Sequence, residues 1–339
     1  MSSSKKNKTT LVTGCAGFIG FHLTIKLLDQ NQTVIGIDNL NNYYDKSLKK
    51  NRLKEIIKHS KKNKKKFIFF KYDINDKNNI SKLFKRFKFN NVFHLAAQAG
   101  VRNSIKNPYD YFSTNLFGFC NILDNCKTFK TNHLIFASSS SVYGGEKKLP
   151  YKESGSSVDH PIQLYAATKR SNEILAHSYS HLYRMKITAL RFFTVYGPWG
   201  RPDMAIFKFT KKILENKSIE IYNRGDHYRD FTYIDDIVNG IVRSSKRKNN
   251  KKIKLNTNLE ILNIGCGSPS KLMNCINLIE KNLGKVAKKK FLDIQKGDMH
   301  KTFASTKKIK KLLNYETSIN LKEGIKRFVL WYKKYYYKK

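Results

Sequence analysis

A glycine-rich turn near the start of the chain constrains its fold more than any other feature. Gly14, Gly17 and Gly20 follow a β-branched run that begins at Thr9, and a helical pattern opens within the turn. Glycines at this spacing allow a tight strand-to-helix connection and a close approach of the backbone to a ligand. The unpaired N–H groups and positive dipole end of such a helix favour a pyrophosphate. The turn therefore predicts a βαβ unit that binds a dinucleotide.

A carboxylate at the end of the second predicted strand indicates which dinucleotide. Asp38 lies at about the distance where an acid meets the adenosine ribose hydroxyls in such units. An acid at this place favours NAD over NADP, because it would repel a 2′-phosphate. A purely structural βα turn is the alternative, and the combination of strand, turn, helix and acid favours NAD binding over it.

Strand-like and helix-like segments alternate through the first half of the chain. The strand-like runs cover residues 33–38, 67–73, 91–96 and 133–139. Alternation of this kind predicts a Rossmann-type doubly wound α/β fold with a parallel sheet, and its ligand crevice lies at the carboxyl ends of the strands. We expect an NAD-binding domain over residues 8–185, joined by a later strand near 232–265.

The second half of the chain has a looser pattern. Gly and Pro cluster at residues 197–202, a helix is predicted over 205–216, and a terminal helix over 321–332. Residues 186–339 are expected to form mainly a smaller C-terminal α/β substrate domain, interleaved with the last strands of the sheet. Apolar residues at helical spacing near the end favour a packed final helix with a frayed lysine tail over a nucleic-acid or membrane patch.

The charge of the chain raises the question of an anionic partner. The chain has 66 Lys+Arg against 25 Asp+Glu, a formal net charge of +41, which could attract nucleic acid or an anionic membrane. The excess is mostly lysine spread through every segment, which favours an ordinary solvated surface. We therefore expect no specific nucleic-acid partner.

Two further absences in the sequence limit the function classes. No apolar stretch is long enough to cross a bilayer and no signal-type segment follows the lysine-rich start, so we expect no membrane insertion and a cytoplasmic location. The five cysteines are scattered without paired spacing. This argues against both a disulfide framework and a zinc site, and no metal is expected.

A tyrosine and a lysine in a helical pattern provide candidate acid–base chemistry. Tyr165 and Lys169 lie four residues apart and project from one helix face. A tyrosine ordinarily titrates near ~10. A neighbouring ammonium and a nicotinamide cation would stabilise the phenolate and make Tyr165 a general base near neutrality. Ser138, Ser139 and Ser140 end the fifth predicted strand, where a hydroxyl can bond the reacting oxygen.

Four longer strings carry a resemblance to a known family. They cover residues 38–45, 94–102, 137–144 and 191–204. With the glycine turn and the Tyr165/Lys169 pair, the chain resembles the extended short-chain dehydrogenase/reductases, specifically the NAD-dependent epimerase/dehydratase family. The last string, which reads Arg-Phe-Phe-Thr-Val-Tyr-Gly-Pro-Trp-Gly-Arg-Pro-Asp-Met, is the one most typical of the UDP-glucuronate 4-epimerase branch.

The resemblance implies a set of cofactor contacts. The residues expected to contact NAD are Gly14, Gly17, Gly20, Phe18 and Ile19 at the pyrophosphate, Asp38 at the adenosine ribose, Asp73 and Ile74 at the adenine, Leu95 and Ala96 along the cofactor path, and Lys169 at the nicotinamide ribose.

The resemblance also implies catalytic and substrate contacts. The expected set is Tyr165 as base, Lys169 and Ser139 as its catalytic partners, Ser138 and Ser140 beside the substrate, Thr194 and Arg201 near the sugar carboxylate, Arg229 at the diphosphate and Asp298 at the nucleotide end. The sequence departs from the family pattern at Phe303 and Ser305, where relatives usually read Tyr and Asp.

These residues predict C4 epimerisation of UDP-glucuronate to UDP-galacturonate through a 4-keto intermediate, in a homodimer. A neutral UDP-sugar 4-epimerase, acting on UDP-N-acetylglucosamine, UDP-glucose or UDP-galactose, is the main alternative. Decarboxylases and dehydratases carry an acid where this chain has Ser140 and Ser141, which disfavours them. A non-enzymatic basic binding protein is disfavoured by the intact set of Ser139, Tyr165 and Lys169.

Overall fold

The computed structural model describes residues 9–154, 156–247, 257–294 and 298–337. Four expectations from the sequence fall partly outside these residues. They are the lysine-rich start with the first-domain boundary at residue 8, part of the predicted strand near 232–265, the three residues before Asp298, and the end of the lysine tail.

The strands and helices follow one another in close alternation. The strands are β1 (Thr9–Thr13), β2 (Thr33–Ile37), β3 (Phe67–Phe70), β4 (Asn91–His94), β5 (His133–Ser139), β6 (Ile187–Phe192), β7 (Thr194–Tyr196), β8 (Ile219–Ile221), β9 (Tyr228–Arg229), β10 (Phe231–Tyr233), β11 (Leu259–Ile264), β12 (Ser270–Lys271), β13 (Lys289–Phe291) and β14 (Lys301–Thr302). The α-helices are α1 (Phe18–Asp29), α2 (Lys46–Lys62), α3 (Lys77–Phe87), α4 (Val101–Lys106), α5 (Pro108–Tyr111), α6 (Gly118–Thr128), α7 (Leu164–Tyr183), α8 (Ala205–Leu214), α9 (Ile234–Ser245), α10 (Leu272–Leu283), α11 (Lys307–Leu313) and α12 (Leu321–Tyr336). A π-helix covers Phe112–Phe117, and 3-10 turns cover Ser140–Tyr143, Ser156–Asp159 and Tyr222–Gly225.

The central sheet has seven strands in the order β11-β6-β5-β4-β1-β2-β3. β1 pairs in parallel with both β2 and β4, and parallel pairing continues from β2 to β3 and from β4 to β5. The register aligns Thr13 with Ile37 and with His94. The residues that follow β1, β2 and β4 therefore leave the sheet side by side, at the carboxyl ends of these strands. The predicted Rossmann-type fold class is confirmed.

The chain divides into two compact units. The first comprises Met1–Gly144, Val158–Arg191 and Ile241–Leu262, and the second comprises Gly145–Ser157, Phe192–Gly240 and Asn263–Lys339. Relative to the predicted bounds, residues 145–157 belong to the second unit and residues 186–191 to the first.

Apolar side chains that share one face of the sheet, together with α3 and α6, form a core of the first unit. Its fully buried members include Leu11, Ile35, Val92, Leu134 and Phe136 from the strands and Ile80, Phe84, Phe119, Ile122 and Leu123 from α3 and α6. Burial of one such side chain stabilises a fold by about 1.5–3 kcal/mol. This core fixes the strand ends from which the candidate site is built.

The second unit combines short strand pairs with helices. β7 pairs with β10, β8 with β13, and β9 with β12 and β14. Ile325, Phe328, Val329 and Tyr332 of α12 are buried. This confirms the packed final helix, although it extends to Tyr336 rather than 332.

No helix in the described ranges combines the length and the apolar character that a bilayer crossing needs.

Candidate active site

The glycine turn has a geometry that other residues would disturb. Gly14 has φ +70°, and a Cβ there would lie 2.8 Å from the Ala96 nitrogen. A Cβ on Gly20 would lie 2.0 Å from the Gly14 oxygen, while Gly17 N donates to that same oxygen at 2.9 Å. α1 begins at the next residue, Phe18, and carries Ile19 and Gly20 in its first turn. At its glycines the turn therefore presents backbone atoms without side chains, at the start of a twelve-residue helix.

Asp38 ties the end of β2 to the glycine turn. Its carboxylate accepts from Ala16 N at 3.1 Å and from Leu40 N at 2.8 Å. Burial raises the pKa of Asp38, and the two backbone N–H groups and Lys49 oppose the rise. Buried Arg52, which sequence reasoning missed, donates to Ala16 O at 3.0 Å and braces the same turn.

The remaining cofactor candidates lie on loops after β3 and β4. Asp73 accepts from Asn39 Nδ2 at 2.7 Å, and Ile74 is buried beside it. The N–H groups of Leu95 and Ala96 both donate to Thr13 Oγ1 at 3.1 Å. All the predicted cofactor residues lie in the first unit.

α7 carries the predicted acid–base pair. Lys169 is buried, and its Nζ donates to Ala137 O at 2.9 Å. Burial lowers the pKa of Lys169 to about 8. Tyr165 lies in the first turn of α7, with its backbone N–H on Ser104 Oγ and its ring edge-on to Tyr111 at 6.2 Å. The structure thus places Tyr165, the predicted base, one helical turn from the buried Lys169.

The three serines at the end of β5 have different environments. Ser138 is buried, and its Oγ donates to Glu173 Oε1 at 2.6 Å. Ser139 accepts from Ser141 N at 3.1 Å and so caps the 3-10 turn that begins at Ser140. A substrate contact by any of the three stays a prediction, and Ser138 has a partner inside the protein.

A π-helix holds a buried amide against α7. Asn115 accepts from Gln98 N at 2.8 Å and donates to Gln98 O at 2.9 Å and to Thr168 Oγ1 at 3.1 Å. π-helical turns are rare and often lie at functional sites. Sequence reasoning missed Asn115, because a π-helix leaves no distinct pattern in one sequence.

Thr194 and Arg201 lie in the second unit. Thr194 starts β7, and its N–H donates to Asp230 O at 3.1 Å. Arg201 donates from Nε to Asp203 Oδ1 at 3.0 Å and from Nη2 to Asp203 Oδ2. Its loop is braced by Trp199, whose ring lies 5.5 Å from that of Trp331.

Arg229 and Asp298 form an ion pair in the second unit. Arg229 Nη2 donates to Asp298 Oδ1 at 3.1 Å, and Nη1 donates to His300 O at 3.1 Å. Burial lowers the pKa of Arg229, and Asp298 partly restores it. The sequence departures Phe303 and Ser305 flank Ala304, which bridges to Tyr151 through backbone bonds.

Comparison with known proteins assigns the family. Residues 11–328 match the model of the GDP-mannose 4,6 dehydratase family. The chain belongs to this family, whose members include NAD-dependent nucleotide-sugar epimerases and dehydratases.

Three relatives define where in the family the similarity lies. The chain is 43% identical to a UDP-glucuronate 4-epimerase of Thermodesulfobacterium geofontis, over 95% of each chain. It superposes with a TM-score of 0.85 and 35% identity on UDP-glucuronic acid 4-epimerase from Bacillus cereus in complex with UDP-glucuronic acid and NAD, covering 97% of this chain and 100% of that one. The UDP-glucose 4-epimerase of Thermotoga maritima, solved with UDP-glucose, matches with a TM-score of 0.83 and 29% identity over 96% and 99% of the chains.

Proposed function

We propose that the protein is an NAD-dependent UDP-sugar 4-epimerase that interconverts UDP-glucuronate and UDP-galacturonate. One observation carries the proposal most directly. Buried Lys169, anchored on Ala137 beside Ser139, shares α7 with Tyr165 at the sheet edge that also bears the glycine turn. The similarity to UDP-glucuronate 4-epimerases supports the choice of reaction.

The glycine turn and Asp38 fit NAD. Side chains are excluded at Gly14 and Gly20, which leaves backbone N–H groups at the start of α1 for a pyrophosphate. Asp38, held by two backbone N–H groups, offers its carboxylate to ribose hydroxyls and disfavours a 2′-phosphate. NAD held there would supply a reversible acceptor for the hydride of the sugar C4, with no net redox change over the reaction.

Tyr165 serves as the general base in this proposal. The Lys169 ammonium, present below a pKa of about 8, stabilises the phenolate by its charge. Tyr165 then removes the proton of the sugar O4 hydroxyl, and Ser139 hydrogen-bonds the same oxygen. Once the keto sugar has turned its other face to the cofactor site, hydride return to C4 would complete the inversion, and Tyr165 gives the proton back to O4.

Arg201 is the proposed contact for the sugar carboxylate. It already holds a carboxylate, that of Asp203, through Nε and Nη2 in the two-point geometry that a guanidinium gives. Thr194 is proposed beside the same carboxylate, and Arg229 and Asp298 at the UDP moiety. Decarboxylases and dehydratases carry an acid at the positions where this chain has Ser140 and Ser141, so the two serines support epimerisation.

A neutral UDP-sugar epimerase is the second candidate. The pairing of Arg201 with Asp203 favours it, because it gives the arginine a role within its own loop. Similarity in fold to a UDP-glucose 4-epimerase is consistent with it as well.

We also propose a homodimer built on the first unit. α4, α5 and the π-helix pack against α7. Apolar side chains on these segments are each more than half exposed: Ile105, Tyr109, Phe117, Ile174 and Leu182. Exposed apolar surface of this kind is typical of interaction sites, and a second copy of the chain is the occupant we propose.

The experiment that tests the function is incubation of purified protein with UDP-glucuronate and separation of the products. UDP-galacturonate is expected, with no UDP-xylose. Tyr165→Phe keeps the ring but removes the base, so it should lose several powers of ten in turnover while NAD binding stays intact. Turnover of UDP-glucose but not UDP-glucuronate would establish the second candidate instead.

A further inference from the structure

A buried carboxylate lies one helical turn beyond the candidate lysine. Glu173 is fully buried on α7 and follows Tyr165 and Lys169 at the same four-residue spacing. Its Oε1 accepts from Ser138 Oγ at 2.6 Å and from Arg191 Nε at 2.8 Å. Its Oε2 accepts from Arg191 Nη2 at 2.8 Å and from Arg170 Nη1 at 3.2 Å. Four donors therefore fix this carboxylate.

Arg191 extends this cluster to the neighbouring strand and turn. It lies on β6, next to β5 in the sheet, and its side chain is 1% exposed against 0% for that of Glu173. The guanidinium carbon lies 4.8 Å from the centre of the Tyr143 ring, at the end of the 3-10 turn that Ser139 caps. The pair thus contacts the strand, turn and helix around Ser139.

Consecutive residues of β5 are tied to α7 by consecutive helical turns. Ala137 O accepts from Lys169, and Ser138 Oγ donates to Glu173. Ser139, the next residue of β5, cannot shift along α7 unless one of these two bonds breaks. The register of β5 against α7 is therefore set by two polar contacts.

Stability alone gives weak grounds for such a pair. Desolvation of two charges is costly, and a buried ion pair can often be exchanged for apolar residues without loss of stability. An apolar pair would not fix the orientation of its two side chains. A planar guanidinium and a carboxylate do fix it, because they bond each other at two points.

We propose that Glu173 and Arg191 are positioning residues for catalysis, which hold Ser138, and with it Ser139, in a fixed place against the helix that carries Tyr165 and Lys169. The proposal rests on the proposed function in that it assumes chemistry at Tyr165 and Ser139. It goes beyond that function by assigning a role to two buried residues outside the expected catalytic and binding set.

Two single variants separate geometry from charge and from folding. Arg191→Lys keeps the charge but loses the two-point bond to Glu173, and Ser138→Ala removes the hydrogen bond between β5 and Glu173. Each is expected to lower kcat, Arg191→Lys by between about tenfold and a hundredfold, because small misplacements of reacting groups cost rates of that order. In Arg191→Lys, KM for the UDP-sugar and the affinity for NAD should change by less than about threefold, since the Arg191 side chain is buried and bonded to Glu173.

Glu323 and Arg327 on α12 provide the matched control. They form an exposed ion pair at 2.7 Å, so Arg327→Lys makes the same exchange away from the site. kcat is measured per folded, NAD-loaded molecule, and thermal melts follow stability. A structural role alone would lower the melting temperature and leave this kcat unchanged, which would overturn the proposal.

A further variant and a reference keep the outcome decisive. If a single variant does not fold, the double variant Glu173→Gln/Arg191→Gln replaces it, because the double variant leaves no unpaired buried charge. A reduced kcat of the double variant supports the proposal, and a wild-type kcat overturns it. Tyr165→Phe is assayed in parallel. Full activity in Tyr165→Phe would reject the proposed function, whereas an inactive Tyr165→Phe beside a fully active Arg191→Lys would reject the positioning role alone.

Discussion

Lys169 donates from Nζ to Ala137 O at 2.9 Å, two residues before Ser139 on β5. This bond anchors a buried ammonium, whose pKa burial lowers to about 8, at the point where the strand reaches the catalytic candidates. His94 on β4 stays neutral there, because burial and the Lys169 charge lower its pKa to about 3. We therefore expect Lys169 to be the cation that favours the phenolate of Tyr165.

Replacement of Lys169 should change the pH dependence of turnover. The ammonium favours the phenolate, so Lys169→Met should raise the pKa of Tyr165 toward its usual value near ~10. Activity should fall by about a hundredfold or more at neutral pH and recover in part as pH rises. A pH–rate profile measures this, with Lys127→Met on α6, which removes a partly exposed ammonium paired with Asp124, as the control. If the acid limb of the pH–rate profile lies at the same pH in Lys169→Met as in the wild type, Lys169 is not the charge that lowers the pKa of Tyr165.

Asp38 should set the choice between NAD and NADP, and in a pH-dependent manner. Burial raises its pKa, so the carboxylate takes up a proton at higher pH than an ordinary aspartate, and its repulsion of a 2′-phosphate weakens as pH falls. We expect the ratio of the two dissociation constants to favour NAD at neutral pH and to narrow in acid. In Asp38→Asn the dissociation constants for NAD and NADP should be similar. Any pH dependence of their ratio that remains in this variant comes from titration of the 2′-phosphate. Equal affinities in the wild type would contradict the assignment.

The fold was largely predictable because it depends on local patterns. The glycine turn, Asp38 and strand 133–139 all reflect short-range spacing, and β5 matches its predicted bounds. The predicted strands 67–73 and 91–96 end early, at Phe70 and His94, because the chain leaves the sheet there to form the loops of the candidate site.

The polar partners of the site were not predictable in the same way. Glu173 on α7 and Arg191 on β6 are 18 residues apart in sequence and meet only because α7 packs against β5 and the turn that ends at Tyr143. An acid four residues after Lys169 was the available signal, but one sequence does not show that it is buried. Asn115 likewise acquires its role only through the fold.

The proposed dimer predicts a concentration-dependent mass. Phe117→Arg and Leu182→Arg place charges on exposed apolar positions of the π-helix and α7, where burial against a second copy would be costly. Light scattering after gel filtration should give a dimer for the wild type and a monomer for the double variant. Val286→Arg, at an exposed position of the second unit, is the control. A monomeric wild type at micromolar concentration would refute the interface.

We expect Arg201 to decide between an acidic and a neutral sugar. Its Nε and Nη2 hold the Asp203 carboxylate, and the side chain is 21% exposed, so the arginine is accessible to substrate while its orientation is fixed. A carboxylate bound in two parallel N–H···O bonds needs the guanidinium fork, which lysine does not reproduce. Loss of such a bond costs on the order of 2 to 5 kcal/mol, a fall of about thirtyfold or more in kcat/KM.

Arg201→Lys and Arg201→Ala should therefore both lose most activity on UDP-glucuronate, and the wild type should act poorly on UDP-glucose, which carries no carboxylate. Asp203→Asn is the informative comparison, because it weakens the ion pair within the loop but keeps the guanidinium. If Arg201 serves only that ion pair, Asp203→Asn should impair both sugars as much as Arg201→Lys does. If Arg201 binds the sugar, kcat/KM for UDP-glucuronate should fall far more in the arginine variants than in Asp203→Asn. Equal wild-type activity on the two sugars, or normal activity in Arg201→Ala, would replace the glucuronate assignment by a neutral-sugar epimerase.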